Sequence, residues 1–180
     1  MTRPINSIWR VLGTVFVVAA VLNYPWEMLQ APLYVMDTAG MPMWLHCFNS
    51  SLGDGSILLL LLGLGWAVFG RVNWFVRAGA RHYALMLGAG LLIGIGLEWI
   101  FVRVLEKWSY SPRMPRLPLT RVGAIPVLQM LLLPPLIFWL AAAWLSRGRS
   151  SEKKASAAKT DGQSGCRVSP AKPSRGHEGY

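Results

Sequence analysis

Four long runs of apolar residues dominate this sequence, and each comes close to the length that crosses a lipid bilayer. A membrane-spanning helix needs roughly 20 predominantly apolar residues. Of the 180 residues, 53% are hydrophobic and 14% are charged, which departs from the composition of a soluble domain. The pattern predicts an all-α polytopic membrane protein. We expect a four-helix transmembrane bundle within residues 1–146 and a disordered basic tail over 147–180, with helices at about 8–24, 45–69, 82–106 and 123–145.

Basic residues are distributed unevenly around these runs. Four spans place both termini on one side, and thirteen of the eighteen Lys and Arg residues then fall on that side. Cytoplasmic loops carry such an excess, so we expect a multi-pass protein of the bacterial inner membrane with both termini in the cytoplasm. The basic tail has no nucleic-acid-binding signature, and its expected partners are membrane lipids rather than nucleic acid.

The segments between the runs contain proline, glycine and aromatic residues. Residues 25–44 indicate an interfacial loop, with room for a short helix over Trp26–Gln30.

Gly90 and Gly94 have the G-x-x-x-G spacing that brings membrane helices into close contact. The tail is low in bulky apolar residues, which is typical of disorder. The cysteines, Cys47 and Cys166, lie in different segments, and we expect no disulfide between them.

Polar side chains interrupt the outer half of the predicted helices. His46, Ser50 and Asp54 follow one another at intervals of four residues and therefore share one helix face. At ~1.5 Å per residue, Asp54 and Glu98 lie at matching depths of about 12 to 14 Å. The same half of the membrane receives three more polar side chains, those of Glu27, Asn49 and Gln129. This arrangement predicts a polar cup that opens to the outer surface.

These polar residues also have a structural interpretation. Buried polar side chains join neighbouring helices in membranes, and His46 and Glu27 lie near enough to the interface to be solvated. Asp54 and Glu98 could pair with His46 or Arg103. Ionisable groups inside a bilayer are nevertheless costly, and they often mark functional sites. We therefore take Asp54, Glu98, His46 and Glu27 as candidate catalytic residues.

A loop rich in arginine and aromatic residues follows the third helix. Arginines beside aromatic rings suit phosphate or carboxylate headgroups, although non-specific lipid contact would need the same residues. We expect the loop to cover the cup. The candidate substrate-binding residues are Asn49, Trp99, Trp108, Tyr110, Arg113 and Gln129.

Several short motifs resemble those of a family of small bacterial four-helix integral membrane proteins of unassigned function. The resemblance covers roughly residues 23 to 138 and implies the four-helix fold but no reaction. The matching positions are Trp26, Glu27, His46, Gly53, Asp54, Glu98, Trp108, Tyr110, Met114, Pro115, Pro126 and Gln129. A fainter likeness to membrane cyclases and isomerases of carotenoids and sterols lacks their P-x-E-E run, so it is similar only in placing acids among apolar helices.

Three classes of function fit these observations. We favour an enzyme that modifies a lipid or isoprenoid by acid–base chemistry, with Asp54 and Glu98 as the acid–base pair. We expect no cofactor. A variant with a metal bound by His46, Asp54, Glu98 and Glu27 lacks the usual ligand spacing. The alternatives are a small transporter of protons or solutes and a non-catalytic assembly factor that docks a membrane-protein partner.

Overall fold

Four long helices form most of the structure. The computed structural model describes the backbone of residues 3–35, 38 and 40–164, and the side chains of residues 8–35, 38 and 40–147. The helices of these residues are α1 (Arg3–Gln30), α2 (Met43–Phe69), α3 (Ala80–Trp99) and α4 (Ala124–Ser164). Four segments, one for each long helix, are long and apolar enough to cross a membrane: Ile8–Leu33, Met43–Phe69, Ala80–Val104 and Ala124–Arg147. The first and third of these segments extend a few residues beyond the ends of α1 and α3. The predicted helical class and the number of long apolar helices are therefore confirmed.

Helix α1 is longer than predicted. It continues through Pro25 to Gln30, and a short 3₁₀ turn over Ala31–Leu33 follows. The short helix considered for Trp26–Gln30 is present, but the predicted break at Pro25 is wrong, because Glu, Met, Leu and Gln favour helix after the proline. The extension matters for the site, since Asn23, Glu27 and Gln30 now lie along one face of a single helix.

The ends of α3 and α4 also differ from the prediction. Helix α3 ends at Trp99, and the chain continues as a π turn over Ile100–Val104, in which the Leu105 N–H donates to the Ile100 carbonyl at 2.9 Å. Helix α4 continues past the predicted end at 145 to Ser164. The stretch after 145 holds helix-forming Ala, Lys and Glu and no proline before Ser164, and the disorder of the tail stays a prediction.

The chain divides into one unit over Met1–Leu145 and a second over Ser146–Tyr180. The predicted tail beyond residue 164, including Cys166, lies outside the described residues. Cys47 is buried and is not in a disulfide.

A two-stranded ribbon, absent from the prediction, joins the two loops that were expected to be irregular. Strand β1 (Tyr34–Val35) pairs antiparallel with β2 (Ser109–Tyr110), and Tyr34 stands directly opposite Tyr110. The Ser111 N–H extends the pairing to the Leu33 carbonyl at 3.0 Å. Strands of two residues are too short to show an alternating apolar pattern, which is why the sequence did not indicate them.

The half of the first unit that contains the α2–α3 connection has an apolar core. Leu58, Leu62 and Phe138 are fully buried there, together with the indole of Trp74. A Cβ atom at Gly65 would overlap the Trp74 ring, whose N–H donates to the Leu62 carbonyl at 3.1 Å. The glycine thus makes room for the largest side chain of the core.

Helices α3 and α4 touch at the predicted G-x-x-x-G. A Cβ atom at Gly90 would collide with the Met130 carbonyl oxygen, and one at Gly94 would lie 3.1 Å from the Met130 Cβ. The two helices approach so closely because both positions lack side chains.

Candidate functional site

A cavity of about 410 Å³ lies in the polar half of the first unit. Its wall is built by all four helices and by the segments around the ribbon. The polar lining residues are Glu27, Gln30, Tyr34, His46, Ser50, Asp54, Glu98 and Gln129, and the apolar ones include Ile57, Leu97, Phe101, Trp108 and Met130. The cavity thus combines a hydrocarbon-like surface with a few converging polar groups, as ligand sites commonly do.

The structure brings most of the candidate residues together in this cavity. The four candidate catalytic side chains line it, and so do two of the candidate substrate-binding residues. These six are Glu27, His46, Asp54, Glu98, Trp108 and Gln129. Residues from four separate helices and the loop before β2 therefore converge at one place, although they are far apart in the sequence.

The other candidate substrate-binding residues lie outside the lining. Asn49 is exposed and contacts the Met41 sulfur at 3.7 Å. Trp99 is 52% exposed, and Arg113 is exposed as well. Tyr110 is not among the lining residues, but its hydroxyl donates a hydrogen bond to the Glu98 carboxylate, which lines the cavity.

Gln129 is the centre of a hydrogen-bond network that links α1, α2 and α4. Its side chain is 2% exposed. The Gln129 Nε2 donates to Asn23 Oδ1 at 2.8 Å, Asp54 Oδ2 at 2.9 Å and Glu27 Oε1 at 3.2 Å. Its Oε1 accepts from Gln30 Nε2 at 3.0 Å. One amide side chain therefore holds polar groups from two other helices.

The Glu27 and Asp54 carboxyl groups form a pair. They lie within hydrogen-bonding reach of each other, and Gln30 Nε2 also donates to Glu27 Oε1 at 2.6 Å. A hydrogen bond between two carboxyl groups requires a proton on one of them, because carboxylate oxygens only accept. One proton on either group would let the two carboxyl groups share a hydrogen bond at the cavity wall.

Glu98 is held differently, by two phenols. Its side chain is 6% exposed. The Tyr34 hydroxyl donates to Oε1 at 2.7 Å, and the Tyr110 hydroxyl donates to Oε2 at 2.6 Å. The two tyrosines can do this because the ribbon places them opposite each other. Asp54 therefore lies next to Glu27, whereas Glu98 is bound to the tyrosines, and the acid–base role of Asp54 and Glu98 stays a prediction.

The two phenols keep their protons. Burial, together with the nearby Glu98 charge, raises the pKa of Tyr34 well above its usual range. Burial and the hydrogen bond to Glu98 raise the pKa of Tyr110. Both hydroxyls therefore remain donors over the whole physiological pH range, and Glu98 remains their acceptor.

Aromatic rings surround the Glu98 end of the cavity. Phe101 and Trp108 stack with ring centroids 4.8 Å apart and an angle of 18° between their planes. Tyr34 meets Trp108 edge to face at 6.0 Å. Trp108 lies close to the Glu98 side chain, yet its buried indole N–H has no acceptor at hydrogen-bonding geometry within the described residues.

The acids named for the metal variant contact other side chains in the described part of the chain. Among the described residues, no group of three or more His, Cys, Asp or Glu side chains is arranged to hold a metal ion. Glu27 and Asp54 bind each other and Gln129, whereas Glu98 binds the tyrosines.

Three site residues escaped the sequence analysis, namely Asn23, Gln30 and Tyr34. Asn23 and Gln30 lie one turn or less from Glu27 along α1, and their spacing would have indicated a polar face if the helix had been predicted to pass Pro25. Tyr34 reaches Glu98 only through the ribbon, and no local sequence pattern indicates that pairing.

No protein-family model matches the chain, and neither the curated proteins nor the solved structures give a match to it. The resemblance to small four-helix membrane proteins stays a prediction. The candidate site is accordingly interpreted from its own residues and geometry.

Proposed function

We propose that this chain is an integral membrane enzyme that binds an apolar lipid or isoprenoid in its cavity and moves protons to and from a carbon of that molecule. The four long apolar helices support the membrane location. Large apolar side chains exposed along them, such as those of Trp9, Leu60, Leu92 and Trp139, also support it, because soluble monomers rarely expose extensive apolar patches. The uneven distribution of basic residues supports cytoplasmic termini in a bacterial inner membrane.

The observation that carries the proposal is the Glu27–Asp54 pair in an otherwise largely apolar cavity. In the proposed reaction, the pair donates its shared proton to a carbon–carbon double bond of the substrate. A carbocation forms, and the pair then takes a proton from a neighbouring carbon. The double bond moves, and the pair is restored to its starting state. Positioned carboxyl groups commonly catalyse such transfers, and the hydrogen bonds from Gln129 and Gln30 hold this pair in place.

The apolar core favours this proposal over transport. Leu58 follows Asp54 by one helical turn on the same face of α2 and is fully buried. Leu62 and Phe138 continue the same packed cluster. A proton or solute route would need polar groups on that side of the cavity, so a cavity that is closed at one end fits the arrangement better than a channel.

Solvent deuterium provides the test. Membranes that contain the protein are incubated in heavy water, and the extracted lipids are analysed by mass spectrometry for carbon-bound deuterium. We expect the wild-type protein to label an apolar lipid. Asp54→Asn and Glu27→Gln should abolish the label, because neither variant retains a carboxyl pair with a shared proton. Glu106→Gln is the control, since Glu106 is exposed and does not line the cavity.

A second comparison tests whether the cavity itself is the site. Gly53 lines the cavity and Gly63 does not, and a Cβ atom at either position would meet open space. We expect Gly53→Phe to reduce labelling at least tenfold and Gly63→Phe to leave it unchanged. Size-exclusion chromatography in detergent checks that the variants remain folded. Full labelling by Asp54→Asn and Glu27→Gln, or no label in any lipid with the wild-type protein, contradicts the proposal.

A further inference from the structure

Glu98 is a buried carboxyl group, and its hydrogen-bond partners in the described part of the chain are two phenols, neither of which is a cation. Both of its oxygens accept phenolic hydrogen bonds, at 2.7 Å and 2.6 Å. Both phenols retain their protons, so they donate hydrogen bonds to Glu98 but bring no positive charge to it. Of the residues that the structure describes around the cavity, none is Lys or Arg. A buried charge is costly unless an opposite charge accompanies it, so this end of the cavity favours a positive group from outside the chain.

The aromatic rings beside Glu98 have the same preference. Tyr34, Phe101 and Trp108 all line the cavity, and the last two stack at 4.8 Å. The faces of aromatic rings attract cations, and quaternary ammonium groups are commonly bound between such rings. The carboxylate and the rings thus select the same kind of ligand group by two independent interactions.

We infer that Glu98, Tyr34, Phe101 and Trp108 form a cation subsite, which binds a positively charged group on an otherwise apolar ligand. The inference rests on the proposed apolar-ligand cavity, but not on its reaction. Within that reaction, the subsite stabilises the positive charge that develops on the substrate carbon after protonation. A resident ammonium group on a hydrocarbon chain satisfies the same subsite without any chemistry.

The chemistry of the subsite also separates it from the Glu27–Asp54 pair. The two carboxyl groups of that pair accept hydrogen bonds from the amide side chains of Gln129 and Gln30. Glu98 has phenolic donors on both oxygens and, among the residues that the structure describes, no carboxyl group as a hydrogen-bond partner. One region therefore supplies a proton and the other receives positive charge, which is the division of roles that acid catalysis through a cation needs.

The test compares two probes of equal shape, a long-chain alkyltrimethylammonium and the neutral hydrocarbon in which carbon replaces the nitrogen. Binding to the purified full-length protein in nonionic nanodiscs is measured by titration, with tryptophan fluorescence as the signal. We expect the ammonium probe to bind at least tenfold more tightly than the neutral one. A gain in affinity of this order corresponds to one desolvated cation–aromatic contact. Equal affinities overturn the inference, and this comparison needs no variant.

Variants then locate the preference. Glu98→Gln should abolish the preference for the ammonium probe, and Trp108→Leu should reduce it severalfold. Glu106→Gln should leave it unchanged. Asp54→Asn should lose deuterium labelling but keep the preference, so the two proposals fail in different assays. A preference that survives Glu98→Gln in a folded protein, or that is lost in Asp54→Asn, contradicts the subsite.

Discussion

Gln129 has one amide nitrogen with two protons, and three acceptor oxygens lie within reach of it. Asn23 and Asp54 are the closer acceptors, and Glu27 is more distant at 3.2 Å. The orientation of the amide is fixed from the other side, because its oxygen accepts from Gln30. The Asn23 amide is also anchored, since its Nδ2 donates to the Ala19 carbonyl at 2.9 Å. The network therefore holds the Asp54 and Glu27 carboxyl groups near one amide nitrogen whose orientation is set by Gln30.

At this residue scale we predict that Gln129→Met destabilises the protein by about 2 kcal/mol or more, because buried acceptors without a donor each cost about 1–3 kcal/mol. Methionine keeps the approximate shape of glutamine but removes the donor. The measurement is the thermal unfolding midpoint in detergent. Asn49→Ala serves as control, since Asn49 is exposed and lies outside the network. Equal midpoints for the two variants would refute the role of Gln129.

The sequence located these residues better than it paired them. Counting helical rise gave Asp54 and Glu98 the same depth, and both do line one cavity. Depth does not determine the direction in which a side chain points around the helix axis, however. The partner of Asp54 is Glu27, which the extension of α1 through Pro25 brings to the cavity. Proline normally ends a helix, so the pattern suggested a loop at this point.

At the scale of elements, the contact between α3 and α4 depends on single glycines. We predict that Gly90→Ala destabilises the protein by about 1–3 kcal/mol, the usual range for overpacking, because its Cβ would collide with the Met130 carbonyl. Gly88→Ala is the matched control on the same helix, since a Cβ there meets open space. Unfolding midpoints of both variants provide the measurement, and an equal effect of the two substitutions would contradict the close packing.

Short elements explain most of what the sequence could not predict about the fold. The four long helices follow from runs of consecutive apolar residues, which the sequence shows directly. The π turn over Ile100–Val104 and the two-residue strands have no comparable signal. Yet these short elements position the side chains around Glu98. The turn carries Phe101, and the strands carry Tyr34 and Tyr110. The sequence therefore indicated the acidic residue Glu98 but not its hydrogen-bond partner Tyr34.

At the scale of the molecule, the first unit has a polar half and an apolar half. The polar half contains the C-terminal ends of α1 and α3 and the N-terminal ends of α2 and α4. The apolar half contains the α2–α3 connection around Trp74. If the chain spans a membrane with both termini in the cytoplasm, the cavity lies in the outer half of the bilayer and the Trp74 core lies in the inner half.

Cysteine labelling in intact cells tests this orientation. In a variant that lacks both native cysteines, Leu119→Cys should react with a membrane-impermeant maleimide, because Leu119 is 98% exposed in the loop before α4. Asn73→Cys, which is exposed in the α2–α3 connection, should react only after the cells are opened. The reverse pattern would place the termini outside, and labelling of both positions in intact cells would contradict a membrane-spanning bundle.

The pairing of Tyr34 with Tyr110 has a consequence for how the site can be observed. Both tyrosines are paired strand residues of the ribbon, and the hydroxyl of each also donates a hydrogen bond to the Glu98 carboxylate. Coupling between two equilibria is reciprocal. A molecule that strengthens the hold of the tyrosines on Glu98 must therefore also slow the exchange of the ribbon amides with solvent. The exchange rate of the Ser111 amide, which is bound to the Leu33 carbonyl, should therefore report the binding of any molecule that strengthens these two contacts.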